Sequence, residues 1–285
     1  PTEPIRVDPG SSQLTSFSIR STGRLSGSWT LDIDDSNLPE GWIWEDRTSG
    51  GISMVDIGVG EVWYPVIRIE APESALGSDS GYLGLTLRHD DGDAEVTANL
   101  PIEANRTRGL SIRGPDGTSQ STGFGLVSEE AMAWLLIENR GNAEEEQIAI
   151  SWESTEWGSD LRIFDSEGEE VNALTLSAGE KKEVTARLPV PTGTSLGETV
   201  STPLSMCVGF GDEEECSQAQ LSFVASSVAV FPSHLRSVPT QGLEWQIHAN
   251  LPDGTTSMNW SLTQAGMVKQ GWSWGAKDGV SISDD

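Results

Sequence analysis

A tryptophan-marked pattern recurs in this chain at domain-scale distance. Ser28-Trp29-Thr30-Leu31 leads to Gly41-Trp42-Ile43-Trp44 and then to Gly51-Ile52-Ser53-Met54-Val55-Asp56. Asn259-Trp260-Ser261-Leu262 leads in the same order to Gly271-Trp272-Ser273-Trp274 and Gly279-Val280-Ser281-Ile282-Ser283-Asp284. Self-similarity at such a spacing is the signature of a duplicated module. Ser151-Trp152 stands between the two, 123 residues after Trp29 and 108 before Trp260. The pattern predicts three copies in which Trp29, Trp152 and Trp260 fill one strand slot as core anchors.

The local signal is period two. Phe17-Ser18-Ile19-Arg20, Trp29-Thr30-Leu31-Asp32-Ile33 and Leu83-Gly84-Leu85-Thr86-Leu87 alternate apolar with polar or small residues, and turn clusters such as Asp8-Pro9-Gly10 and Asp90-Asp91-Gly92-Asp93 separate them. No sustained helical period with caps at both ends is present. Gly60-Glu61 recurs as Gly179-Glu180, 119 residues on, and Ala71 to Gly77 is matched by Val190 to Gly197. Each full copy then holds about seven short strands, the number expected of an immunoglobulin-like sandwich. The reading is an all-β chain of tandem immunoglobulin-like antiparallel β-sandwiches: residues 1–105, residues 106–225, and a truncated third copy over 226–285.

Charge narrows the partners. Asp and Glu number 44 against 17 Lys and Arg, a formal net charge of −27. Such a field repels phosphate backbones and anionic headgroups, so nucleic acid and direct membrane insertion are not expected. Eleven Trp argue against acidic disorder. No run of 18 apolar residues exists to span a bilayer. Because the chain starts on Pro1 and stops inside a repeat, it is expected to be a segment of a longer protein, with other domains of that chain as its nearest partners.

The arrangement resembles the immunoglobulin-like modules of the CARDB and NPCBM-associated type, which occur in tandem in secreted prokaryotic surface proteins. The resemblance rests on Ser21 to Gly23 and Asn139 to Gly141 before a Trp strand, Pro39 to Trp42, Gly60-Glu61 and Gly179-Glu180, then Pro72 to Gly77 and Pro191 to Gly197. Copy two departs from it in carrying Glu156-Trp157-Gly158 in place of Pro-x-Gly-Trp. The resemblance implies extracellular modules, and the acidity resembles surface proteins of salt-adapted archaea. It implies fold far more than function, since sandwiches host many roles.

Few residues offer chemistry. Cys207 and Cys216 flank a Gly- and acid-rich turn, where antiparallel partners lie close enough for a disulfide; two reduced, buried thiols are the alternative. Trp42 and Trp44 alternate with Ile43, so one ring could face outward and stack on a sugar, against the plainer reading that both are buried. Asp90, Asp91 and Asp93 form the candidate calcium cluster, although hard cations want six to eight oxygens and a solvated turn explains the acids as well. Otherwise no cofactor is expected. Asn105-Arg106-Thr107 and Asn259-Trp260-Ser261 are N-glycosylation sequons for an exported chain. His89, His234 and His248 are scattered, and no nucleophile elbow or His-Glu-x-x-His is present. The expected role is a non-catalytic extracellular spacer or adhesion segment, contacting a cell-surface protein or polysaccharide. The alternative is a carbohydrate-binding accessory to a secreted hydrolase.

Overall fold

A computed structural model describes residues 3–22, 26–92, 94–209, 211, 214–231 and 246–249. All regular elements among them are strands. The first sandwich contains β1 (Ile5–Val7), β2 (Ser12–Ser16), β3 (Ile19–Arg20), β4 (Gly27–Asp34), β5 (Ile43–Asp46), β6 (Val55–Ile57), β7 (Val62–Trp63), β8 (Val66–Glu70), β9 (Ser80–His89) and β10 (Glu95–Ala104). The second contains β11 (Leu110–Arg113), β12 (Gln120–Leu126), β13 (Glu130–Asn139), β14 (Glu145–Trp152), β15 (Arg162–Asp165), β16 (Ala173–Leu176), β17 (Lys181–Pro189), β18 (Thr199–Val208) and β19 (Glu215–Ser226). Of residues 226–285, read from sequence as the start of a third copy, β20 (Val228–Phe231) and β21 (Gln246–Ala249) are described beyond the end of β19, as an antiparallel pair.

The two sandwiches repeat each other closely, except that β13 of the second also pairs with β11 and β12. One sheet runs β1-β10-β9-β4-β6 in the first copy and β12-β19-β18-β14-β16 in the second. The other runs β2-β8-β5, continued by β3-β7, and is matched by β13-β17-β15. Even the parallel pairing between an early strand and the last one recurs, as Ile5↔Ile102 and as Phe124↔Val224. Alternation makes the strands. Val200, Thr202, Leu204, Met206 and Val208 of β18 all point inward, each a residue apart from an outward neighbour. A fully buried Leu or Ile contributes roughly 1.5–3 kcal/mol, and each copy has its own such cluster. The first gathers Ile67, Ile69, Leu83, Leu100 and Ile102; the second gathers Leu135, Ile137, Ile148, Leu204 and Phe223.

The register corrects the expectation of a shared tryptophan slot. Thr30 pairs with Arg88, which pairs with Glu95; Ala149 pairs with Cys207, which pairs with Cys216. Ala149 therefore matches Thr30, Ile148 matches Trp29, and Trp152 falls at the place of Ile33. The true step here is 119 residues, that of Gly60 and Gly179, and not the 123 separating the two tryptophans. Trp29 lies buried edge-on against His89, with ring centroids 4.8 Å apart. Trp152 is only partly buried, four positions along the strand, its indole donating to the Ser159 carbonyl at 3.4 Å. What recurs is the backbone register, while the bulky pair Trp29–His89 gives way to Ile148–Val208. Trp260 lies outside the described residues.

Candidate functional site: the joint between the sandwiches

Three short segments meet where the first sandwich hands over to the second: the loop 71–79, the linker 105–109 and the loop 139–145. The first loop is turned by its own hydrogen bonds, Ala75 N–H to Pro72 O at 3.0 Å and Leu76 N–H to the Asp79 carboxylate at 3.0 Å. It offers the amide of Gly77, which donates to Asn142 O at 2.7 Å. A Cβ on Gly77 would stand 3.0 Å from both the Ala143 Cβ and the Asn142 Oδ1, so a side chain there would push the two loops apart by a few tenths of an ångström.

Asn142 is the hub. Its Nδ2 donates to Asn105 O at 2.8 Å and to Ala75 O at 3.3 Å, and its Oδ1 accepts the Thr107 amide at 2.7 Å. Its own amide donates to Thr107 O at 3.2 Å. One side chain therefore ties both sandwiches to the linker between them. Asn139 shapes the loop that presents it. Fully buried, Asn139 donates to the carbonyls of Ala143, Leu176 and Ser177 and accepts the Gly141 amide at 2.9 Å.

Beside the hub, Glu145 is 2% exposed and accepts from Arg108 at 2.6 Å and from Arg106 at 3.0 Å. Arg106 also donates to Glu144 O at 2.7 Å. A run of Glu144, Glu145 and Glu146 reads in sequence as a solvated surface; the structure corrects this for its middle member. The cause is a bulge in β14 between Glu145 and Ile148, where Gln147 has φ 55° and the extra residue turns the Glu145 side chain inward. The buried charge is offset by two guanidinium groups that both meet Oε2, while Oε1 is buried without a hydrogen-bond partner. The loop 71–79, the linker 105–109 and the loop 139–145 are thus joined by hydrogen bonds and ion pairs.

The sequence-nominated residues are placed elsewhere, apart from Asn105. Cys207 and Cys216 are joined as a disulfide across β18 and β19, with Cα atoms 4.1 Å apart. Arg88 and Glu95 hold the same place in the first sandwich, as an ion pair at 2.9 Å. Glu95 and then Asp32 raise the pKa of Arg88 above the usual guanidinium value. Trp42 is 6% exposed inside the first core and has no free face for a sugar ring. Trp44 is half-buried against the same core, its indole donating to Asp35 at 3.3 Å. Asp90 accepts from Thr30 at 3.4 Å, whereas Asp91 lies 3.7 Å from His89. Asp93 and Asn259 lie outside the described residues. The Asn105 amide donates to Asp8 at 2.6 Å within the joint. Among the described residues, the group close enough to share a metal is Cys207, Glu214 and Cys216, and the disulfide occupies both of its sulfurs.

No family model matches the chain, and no curated protein does. Solved structures resemble it in fold. The CFA/I adhesin CfaE of enterotoxigenic E. coli aligns over 79% of this chain and 98% of its own, at 8% identity and TM-score 0.45. The C-terminal domain of the AgI/II polypeptide BspA from Streptococcus agalactiae covers 76% of this chain and 95% of its own, at 7% identity and TM-score 0.27. A family 123 glycoside hydrolase from Clostridium perfringens matches 42% of this chain at 9% identity and TM-score 0.32, and this chain spans only 27% of that protein.

Proposed function

We propose that the chain is a non-catalytic spacer or adhesion segment of a larger extracellular protein, and that its task is to hold successive sandwiches at a fixed angle. The observation that carries this reading is the elbow at Asn142, Gly77 and Glu145, which uses both loops and the linker and leaves no slack segment between the copies. Two further features support it. A cross-strand disulfide suits an oxidising compartment, and a net charge of −27 keeps neighbouring molecules apart in solution. The CARDB-like and archaeal assignments rest on the sequence resemblance alone. Sugar stacking has lost Trp42 to the core, and no other observation favours it.

Small-angle scattering tests the proposal. The native chain should give a narrow distribution of dimensions, and a variant combining Asn142→Ala with Glu145→Ala should give a broader one. A native profile as broad as that of the variant would refute the fixed elbow. A panel of polysaccharides checks the alternative: saturable binding weakened by Trp44→Ala would return the carbohydrate reading.

A further inference from the structure

Among the described residues, the first sandwich lacks a strand that the second possesses. In the second, β11 lies antiparallel along β13, with Leu110↔Asn139, Ser111↔Glu138, Ile112↔Ile137 and Arg113↔Leu136. The matching edge of the first is Ser18 to Ser21, since Ile19↔Trp63 corresponds to Ile137↔Lys182. Among the described residues, no strand pairs with the outer edge of β2 or β3. In its place is a cleft of about 980 Å³, lined by Ser18, Ile19, Arg20 and the inner faces of Leu85, Leu87 and Ala98.

Burial differs at the corresponding positions. Leu135, Ile137, Met206 and Ala219 are at most 2% exposed, whereas the residues in their places, Phe17, Ile19 and Leu87, are only partly buried and Ala98 is exposed. The difference has a second structural source. In β12, Gly123 and Gly125 let the strand press on the β13 backbone: a Cβ there would come within 2.6 Å of Met132 and 2.5 Å of Ala131. Their counterparts in β1 are Ile5 and Val7, and β1 and β2 are not paired.

We infer that the cleft of the first sandwich receives one extended strand, delivered in cis by chain leading into Pro1, which pairs antiparallel with Ser18 to Ser21 as β11 pairs with β13. The occupant is defined by what it must meet. Apolar residues at alternate positions, as Leu110 and Ile112 supply in the second copy, would cover Ile19 and Leu87. The charge is reversed: Arg113 lies 3.8 Å from Glu138, but the residue at the place of Glu138 is Arg20, so the incoming strand should carry an acid where β11 carries Arg113. By the spacing of β11 from β12, the strand would lie a few residues ahead of Pro1, which a short turn such as Gly114 to Ser119 can bridge.

The test is a fusion. Residues 108–119, with Arg113→Glu, are added ahead of Pro1 of the full chain. The melting transition of the first sandwich should rise by roughly 5 °C, the response of a small domain to a modest gain in stability, and the amides of Phe17 to Arg20 should become protected from hydrogen exchange. A control fusion with both apolar residues changed to Ser should do neither. Unchanged melting and exchange, or an equal gain from the control, would overturn the inference. The same peptide unlinked probes delivery in trans: tight saturable binding, with no added stabilisation on linkage, would overturn delivery in cis.

Discussion

The two sandwiches share most strand pairings but close differently, since β13 pairs with both β11 and β12 while β2 pairs with neither β1 nor an added strand among the described residues. The second is sealed. β12 grips both sheets through Gly123 and Gly125, β11 covers the remaining edge, and Cys207–Cys216 staples the hairpin at its far end. The first is open along the corresponding edge, with Ile5 and Val7 in place of the glycines and an exposed Arg88–Glu95 pair in place of the disulfide. Topology is therefore set by the alternating pattern and the turns, while completeness depends on a few residues at the sheet edge. One architecture can be sealed or left ready for a strand by changing them.

Exchanging those residues breaks the comparison most severely. Gly123→Ile with Gly125→Val gives the second sandwich the residues of the first, and the added side chains run into backbone, so a loss of about 3 kcal/mol is expected in urea unfolding. Amides of Leu136 to Asn139 should lose protection at the same time. Next in size is Glu145→Ala, which leaves two arginines facing a buried site without their anion. We expect about 2 kcal/mol, below the cost for a fully buried pair because Arg106 is 44% exposed. The double exchange Cys207→Arg with Cys216→Glu replaces the disulfide by the ion pair of the first copy. The small loop limits the disulfide contribution to about 2 kcal/mol, and an exposed pair returns under about 1 kcal/mol, so thermal melting should show a modest net loss.

Gly77→Leu sharpens a different contrast. Leu196, at the place of Gly77 in the second copy, is 64% exposed, whereas Gly77 is in contact with Ala143. The substitution should leave each sandwich folded, with an unchanged circular dichroism spectrum, while separating the loops at the elbow. The smallest effect is acidic. Backbone amides of Ser36, Thr118 and Glu169 hold the carboxyls of Asp34, Asp116 and Asp165 below the usual aspartate value. Depressed values in the folded state mean that these groups stabilise the protein above about pH 4, the unfolded value, and that their contribution fades as pH falls through the folded one. Asp116→Asn should flatten the acid limb of a stability–pH curve slightly.

Much of the fold was legible because period-two alternation and turn chemistry are local. The Gly60-Glu61 and Gly179-Glu180 turns show why. In each, the glycine takes positive φ and the glutamate accepts the amide three residues earlier, from Gly58 in one copy and Ser177 in the other, so the same dipeptide forces the same turn. Aromatic residues misled where turns did not. A tryptophan can anchor a sandwich from several positions, and aligning Trp152 with Trp29 displaced the register by four residues. The joint was illegible for a different reason. Glu145 looks like its neighbours Glu144 and Glu146, and its burial follows from a bulge and from arginines 37 and 39 residues earlier in the chain. Asn142 gave one signal, its place beside the Asn139-Arg140-Gly141 turn, but its partners belong to the preceding sandwich. The missing edge strand shows only once the register equates Ser18 to Ser21 with Leu136 to Asn139.

Residual dipolar couplings measured separately over residues 3–104 and 110–226 test the central claim most directly. A single alignment tensor fitting both sets, splitting into two in Asn142→Ala with Glu145→Ala, is the predicted result. Two tensors of different magnitude in the native chain would contradict it.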